Sequence, residues 1–401
     1  MIIEKTNLFD KILFICLIFS VLLGQSLYFK IHVLQGIRLF VPLTILFYLF
    51  FKNKVIISKS MCFYLLFFLF YLSYTFFVSI FNFTYGLPIN DFINHVIMLL
   101  MVLDFAILFS TIDKIELSNI IIKIIYSFLF ICCLVALWEF ITKNHLPVSR
   151  YYKNKEVFGL LGIPTTFFTN ENDYMAAYLQ LMLLAWGIKK EIISMRFTIL
   201  DLLLLVLFLV QSIFVDSRLT ILALIIYFIF LFLKNKVVLI FSILVTGCFV
   251  ILFYGDNITE KIIMEFSNHG SNEIRKNLYI LALQNAMTWH GFFGYGLNGS
   301  MNFYKGLNTD LFIGDIINPH NYLFELMINS GFIVAVLFLA LDIYLTIKLN
   351  NKKYYRLSLS AGLFFLILCS SSSSLYYWGQ YFIFQFLFFL ACEENEVICT
   401  Y

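Results

Sequence analysis

The chain has 401 residues, of which 62% are hydrophobic and only 13% charged, with a mean hydropathy of +0.91. A soluble domain is nearer half apolar and a quarter charged, so a soluble enzyme, a disordered chain and a nucleic-acid binder built on a basic patch are excluded. The net charge of +3 says little as a total, and the placing of the charges says more.

Apolar runs follow one another at 12–29, 33–51, 60–80, 92–110, 119–141, 167–188, 197–215, 218–233, 237–254, 321–347, 357–375 and 376–391. Each is near the ~20 residues that a membrane-crossing helix uses. They are long and continuous, unlike the two-residue alternation of a transmembrane barrel. In hydrocarbon each backbone amide needs a partner within its own segment, which makes these runs helices. The expected fold is an all-α polytopic membrane protein with about 12 transmembrane helices, residues 1–401 forming a single integral membrane domain. The last two runs nearly merge around Ser370 to Tyr377. Gly24-Gln25-Ser26 lies inside a continuing apolar stretch, so the first run reads as an uncleaved span and not a signal peptide.

Orientation follows from lysine and arginine, which concentrate in short cytoplasmic loops. With both termini in the cytoplasm, 16 of the 27 basic residues fall inside, among them Lys52, Lys54, Lys189, Lys190, Arg196, Lys234, Lys236, Lys352, Lys353 and Arg356. The other 11 lie mostly in the two longest outer connections, 142–166 and 255–320. None of the eight cysteines falls in those connections, so no disulfide framework is expected there, and no metal-ligand spacing is present. Cys132-Cys133 reads as packing. No repeat of 20–50 residues is visible and the two halves differ in loop length, which weighs against a secondary transporter built on internal repeats.

Long loops in a compact membrane protein are usually functional. Within 272–289 the apolar Ile274, Leu278, Leu281 and Met287 recur at helical spacing beside Arg275, Lys276 and Gln284, as in a helix lying at the membrane surface. Gly291, Gly294, Gly296 and Gly299 then break the pattern. Asn318-Pro319 sets a turn, and His320-Asn321 opens the tenth span.

Several of these polar residues carry two readings. His320 is either an interfacial polar residue or a general base, since an imidazole switches protonation near neutral pH. Asn321 adjoins it, and Glu325 stands one turn further into an apolar helix, where a carboxylate is costly. Arg218, in Asp216-Ser217-Arg218, is either a snorkelling arginine paired with Asp216 or a phosphate ligand. Arg275 offers the same choice as a solvated loop charge or a phosphate ligand. Arg38, in the outer half of the second span, costs about 2.5–3.5 kcal/mol there and calls for a structural partner or a lipid phosphate. Thr169-Asn170-Glu171-Asn172-Asp173-Tyr174 heads the sixth span. Capping accounts for Thr169 or Asn170, while the rest, Asn172 included, could hydrogen-bond sugar hydroxyls. Ser370 to Ser374 read as close helix packing. Asp104, Asp201 and Asp342 lie towards inner span ends without a histidine to link them, so a proton relay is not indicated.

Four segments together resemble the O-antigen ligase and polysaccharide polymerase superfamily of bacterial envelope proteins. They are TTFFTNENDYMAAYLQLML (165–183), DSRLTILAL (216–224), EIRKNLYILALQNAMTWHGFFGYGLNGS (273–300) and NPHNYLFELMINSGFIVAVLFL (318–339). They cover about a fifth of the chain, in the family's order; the first five spans match only in hydropathy. The segment departs from the family's pattern at Glu325, which is followed by Leu-Met-Ile-Asn-Ser-Gly where the family more often has Ala-Glu just before a hydrophobic residue and Gly.

The resemblance implies a GT-C-like fold with a long, partly helical extracytoplasmic loop carrying part of the active site. It implies glycosyl transfer, without metal or other cofactor, from an undecaprenyl-pyrophosphate-linked oligosaccharide in the bacterial cytoplasmic (inner) membrane. His320 maps to the family's catalytic histidine, and Arg218 and Arg275 to its phosphate-binding arginines. The substrate-binding candidates are Arg38, Asn170, Asn172, Asn321 and Glu325. The expected products are capsule, exopolysaccharide or lipopolysaccharide chains, and the expected partners are the bilayer, a flippase and chain-length regulator proteins, with no nucleic acid. A polymerase joining lipid-linked repeat units is the favoured reading; a ligase, which differs in acceptor, is the alternative, and a lipid-linked oligosaccharide flippase is the reading from another class. A flippase would line a cavity through the membrane with charge, whereas here the polar clusters gather on one side.

Overall fold

The computed structural model describes residues 8–23, 40–48, 57–81, 89–149, 151–152, 163–232, 271–297, 299, 303, 321–368 and 379–392. Regular structure among the described residues is helical throughout. In chain order the helices are α1 (Leu8–Leu22), α2 (40–48), α3 (Lys59–Phe81), α4 (Ile89–Thr111), α5 (Lys114–Thr142) and α6 (Glu171–Gly187). After a π-turn at Ile188–Ile192 come α7 (Ile199–Val215), α8 (Arg218–Phe232), α9 (Ser271–Ala286) and α10 (Trp289–Phe293). The chain closes with α11 (Tyr322–Asn351), α12 (Tyr355–Gly362), α13 (Phe364–Leu368) and α14 (Gly379–Cys392).

By length and composition, four of these stretches are able to cross a membrane: Lys59–Phe81, Phe92–Thr111, Lys114–Thr142 and Tyr322–Asn351. α7, α8 and α14 are apolar but shorter. The run at 237–254 lies outside the described residues, as do parts of 33–51 and 357–375. Where 357–375 is described it is not one helix: α12 and α13 meet at a turn on Leu363.

The helix ends follow ordinary capping chemistry. The Asp113 carboxylate accepts the amides of Ile115 and Glu116 at the start of α5, and Thr198 and Asp201 form a capping box at the start of α7. Lys143 and Asp216 close α5 and α7 in the left-handed region, at φ 55° and 56°. α6 is buried along its whole length except at Asn172, the pattern of a helix enclosed on every side. It packs against α5, α7, α8 and the short helices near the C-terminus.

Polar contacts between helices gather at two levels. At one, Lys11 pairs with Glu116, Ser58 bonds Ser110, Lys114 reaches Tyr354, and Asp201 takes Lys189, Tyr126 and Thr198. At that level the Glu191 carboxylate also accepts the amides of Arg356 and Leu357 at the head of α12. At the other level Ser79 holds Leu297, Tyr322 bonds Tyr381, Tyr174 bonds Gln211, and Glu139 holds Thr165 and Thr166. Each of α3 to α7, and α11, runs from one level to the other, so successive helices alternate in direction. Lys189, Lys190 and Arg356 belong to the first level, and the loop helices α9 and α10 to the second.

Candidate functional site

α11 is interrupted at Gly331, whose φ of 89° and ψ of 162° are not helical. In an unbroken helix the carbonyls of Ile328 and Asn329 would accept amides four residues on. Here they accept the amides of Tyr295 and Gly296, each at 2.8 Å. The glycine-rich end of the loop is therefore seated in the broken turn of α11. Glycine is required on both sides of this seam. A Cβ on Gly294 (φ 87°) would lie 2.4 Å from the Gly331 nitrogen, and one on Gly331 would lie 2.5 Å from the Phe292 carbonyl oxygen.

α3 holds the same loop from the other side. The Ser79 hydroxyl accepts the Leu297 amide at 2.7 Å, the Tyr74 hydroxyl donates to the Phe293 carbonyl at 2.8 Å, and Thr75 meets Ser330 at 3.3 Å. Within the loop, Tyr295 donates its hydroxyl to the Asn285 side chain at 2.9 Å.

α9 packs on α11. Among its described side chains Leu278, Ala282, Asn285 and Ala286 are buried, while Ile280 and Leu283, and Met287 just past its end, are exposed. Of the stripe expected from sequence, Leu278 is buried, Leu281 is partly buried, Met287 lies exposed just past the end of the helix, and the Ile274 side chain is outside the described residues. Next to the buried stripe, the Tyr279 ring stacks on Phe324 of α11, with centroids 4.6 Å apart and planes 12° apart. Arg275 lies in α9, one helical turn before Tyr279; its side chain is outside the described residues.

At the mouth of α11, the Asn321 side chain accepts the amides of Leu323 and Phe324 at 3.0 and 3.3 Å. Capping thus explains its place at the helix start. Glu325 is buried one turn further in, and Tyr322 bonds Tyr381 at 3.1 Å. His320, directly before Asn321 in the chain, and Arg38 both lie outside the described residues.

The head of α6 forms a second polar cluster. The Asn170 side chain accepts the Asp173 amide at 2.9 Å and donates to the Asp173 carboxylate at 2.7 Å, so both its ends serve the cap. Asn172 is half-buried and is the one residue of α6 outside the buried set. Tyr151 donates to Glu171 at 3.0 Å.

Glu139, which the sequence reading passed over, is fully buried and organises the connection between α5 and α6. Its carboxylate accepts both the Thr165 and Thr166 amides at 2.8 Å, and the Thr165 hydroxyl at 3.2 Å; His145 Nδ1 lies 3.3 Å away. The available signal was a carboxylate in the last turn of an apolar span, followed by a histidine. Arg218, at the start of α8, directs Nε and a terminal nitrogen to the two Asp216 oxygens at 3.4 and 3.3 Å, with 52% of its side chain exposed. Among the described residues no group of three or more His, Cys, Asp or Glu could hold a metal ion.

The family model described as O-antigen ligase matches residues 202–339. That stretch runs from α7 to the middle of α11 and takes in Arg218, Arg275 and His320. It supports the O-antigen ligase and polymerase superfamily for this chain. No curated protein matches the chain.

Proposed function

We propose that this protein is a bacterial surface-polysaccharide polymerase, joining undecaprenyl-pyrophosphate-linked oligosaccharide repeat units on the outer face of the cytoplasmic membrane. The observation that carries the reading is the family match over 202–339, which holds Arg218, Arg275 and His320 together. The seating of α9 on α11 supports it, because the helix of Arg275 packs on the helix that follows His320.

Displacing a lipid pyrophosphate needs cations on the leaving group and a base for the attacking hydroxyl. Arg218 and Arg275 take the pyrophosphate oxygens, for which a guanidinium offers a fixed fork of donors. Arg218 already presents that fork to the Asp216 carboxylate. His320 removes the proton of an acceptor sugar hydroxyl; its oxygen forms the bond to the anomeric carbon, and the bond to the pyrophosphate oxygen breaks with its electron pair. A single displacement inverts the anomeric configuration. Asn172 and Glu325 are the sugar-facing candidates in this scheme, and Arg38 a further phosphate contact.

A ligase, which transfers the glycan to a lipid or protein acceptor, is the second reading, and the matching family is described by that activity. The test is the purified protein with a synthetic lipid-pyrophosphate-linked oligosaccharide. A product ladder supports the polymerase, and a single addition to a supplied lipid acceptor supports the ligase. Movement of the donor across a vesicle bilayer with no new glycosidic bond overturns both in favour of a flippase. Wild-type turnover by a well-folded His320→Ala variant would remove the base from the scheme.

A further inference from the structure

The break in α11 isolates the segment 322–330 from the rest of the helix. A piece of about nine residues is too short to hold helical structure alone, and its last carbonyls need donors from elsewhere. The loop supplies two of them, through the amides of Tyr295 and Gly296. Ser79 and Tyr74 fix that loop to α3 in turn. At the other end of the segment, Tyr279 of α9 lies flat on Phe324, next to Glu325 and one turn from the helix mouth. The short segment is thus gripped at both ends by one stretch of chain, 271–297, and α9 is the helix that carries Arg275.

We infer that Tyr279 and Gly331 are positioning residues: the Tyr279–Phe324 stack and the seam at Gly331 lock α9, α10 and residues 322–330 into one unit. This unit sets the mouth of α11 at a fixed distance from the helix that bears Arg275. The inference rests on the reading of Arg275 as a phosphate ligand and His320 as the base. In that scheme the two groups act on opposite faces of one anomeric carbon, His320 on the attacking hydroxyl and Arg275 on the leaving pyrophosphate, and a misplacement of about 1 Å can cost on the order of 100-fold in rate. A joint between their carriers has that consequence, which simple packing does not. Gly331 serves the joint by leaving two carbonyls open to the loop. An alanine there disfavours φ near 89°, favours a continuous helix, and would close those carbonyls to the loop.

The experiment compares Tyr279→Ala, Tyr279→Phe and Gly331→Ala in the purified full-length protein, with rates corrected for folded fraction. The donor is a synthetic lipid-pyrophosphate-linked oligosaccharide. Tyr279→Ala should lower kcat by about 10- to 100-fold with donor KM within about twofold, as expected for lost positioning. Tyr279→Phe, which keeps the stacking ring, should restore kcat. Hydrogen exchange should show the Tyr295 and Gly296 amides protected in the wild type and exposed in Gly331→Ala. A folded Tyr279→Ala variant with wild-type kcat overturns the inference, as do unprotected amides in the wild type. If His320→Ala turns over normally, the functional reading fails, whereas the exchange measurement still judges the seam. If Gly331→Ala does not fold, the Tyr279 pair alone decides.

Discussion

The backbone amide of Tyr295 donates to the carbonyl of Ile328 at 2.8 Å, taking the place that the Phe332 amide would have in an unbroken helix. This bond and its neighbour from Gly296 to Asn329 require two backbones to touch, which glycine permits at Gly294 and Gly331. Gly294→Ala puts a Cβ 2.4 Å from the Gly331 nitrogen at a φ of 87°. Backbone strain of this kind costs about 1–3 kcal/mol before any clash is counted. The expected result is a clearly lower Tm in detergent; an unchanged Tm would show that the seam adapts.

Asn170 and Asn172 separate capping from sugar binding. Both ends of the Asn170 side chain are engaged with Asp173. Asn170→Ala should cost about 1 kcal/mol of stability, the usual value of an N-cap. Asn170→Ser, a good cap without the amide, should recover the stability and leave KM unchanged. Asn172→Ala should do the reverse, raising KM for the oligosaccharide with Tm unmoved. Loss of turnover in a stable Asn170→Ser variant would return Asn170 to the substrate.

Arg218 tests the phosphate fork. With 52% of its side chain exposed, its pair with Asp216 adds little to stability. Arg218→Lys should therefore keep Tm and lower kcat/KM for the lipid-linked donor by about tenfold or more, since lysine offers a point charge without the fork. Equal loss of Tm and activity would make the residue structural.

The levels at which helices meet were legible in the sequence, because lysines and arginines mark the ends of apolar runs. Asp113, Thr198 and Asn170 announce helix starts by type alone, and the structure uses them so. The seam was not legible. Gly294, Gly296 and Gly331 stand out as glycines, but nothing local says that two of them face one another across the bundle. Glu139 carries a signal, a carboxylate in the last turn of an apolar span, but its partners Thr165 and Thr166 are distant in sequence and meet it largely through backbone amides, so its role in joining α5 to α6 was not legible. Arg218, Arg275 and His320 are legible only as candidates, by residue type and by the resemblance that places them.

Glu191 gives a pH dependence. Burial pushes its carboxyl above the ordinary 4.5, outweighing the amides of Arg356 and Leu357 that lower it. A carboxyl raised in the folded state holds its proton more tightly there than when unfolded. Its contribution favours folding at low pH and is lost as pH rises from the ordinary value through the raised one. Wild-type Tm minus that of Glu191→Gln, which does not titrate, should fall as pH rises from about 4.5. A difference that grows with pH would mean that the two backbone bonds dominate.

Glu139 should prove the main anchor of the connection between α5 and α6. Its carboxylate satisfies two buried backbone amides and the Thr165 hydroxyl, with His145 Nδ1 also in reach. Each buried group left without its partner costs about 1–3 kcal/mol. Glu139→Ala should therefore lower Tm strongly, and proteolysis should begin between residues 143 and 166, where the freed segment opens. Glu139→Gln keeps the shape and can keep one oxygen where Oε2 accepts both backbone amides, but it sets an NH2 group where Oε1 accepts the Thr165 hydroxyl beside His145 Nδ1, so it should fall between wild type and alanine. If Glu139→Gln instead matched the wild type in Tm and lost turnover, the carboxylate would be acting on the substrate and not on the fold. The order wild type, Gln, Ala in both Tm and protease resistance, with turnover following folded fraction, is the result expected.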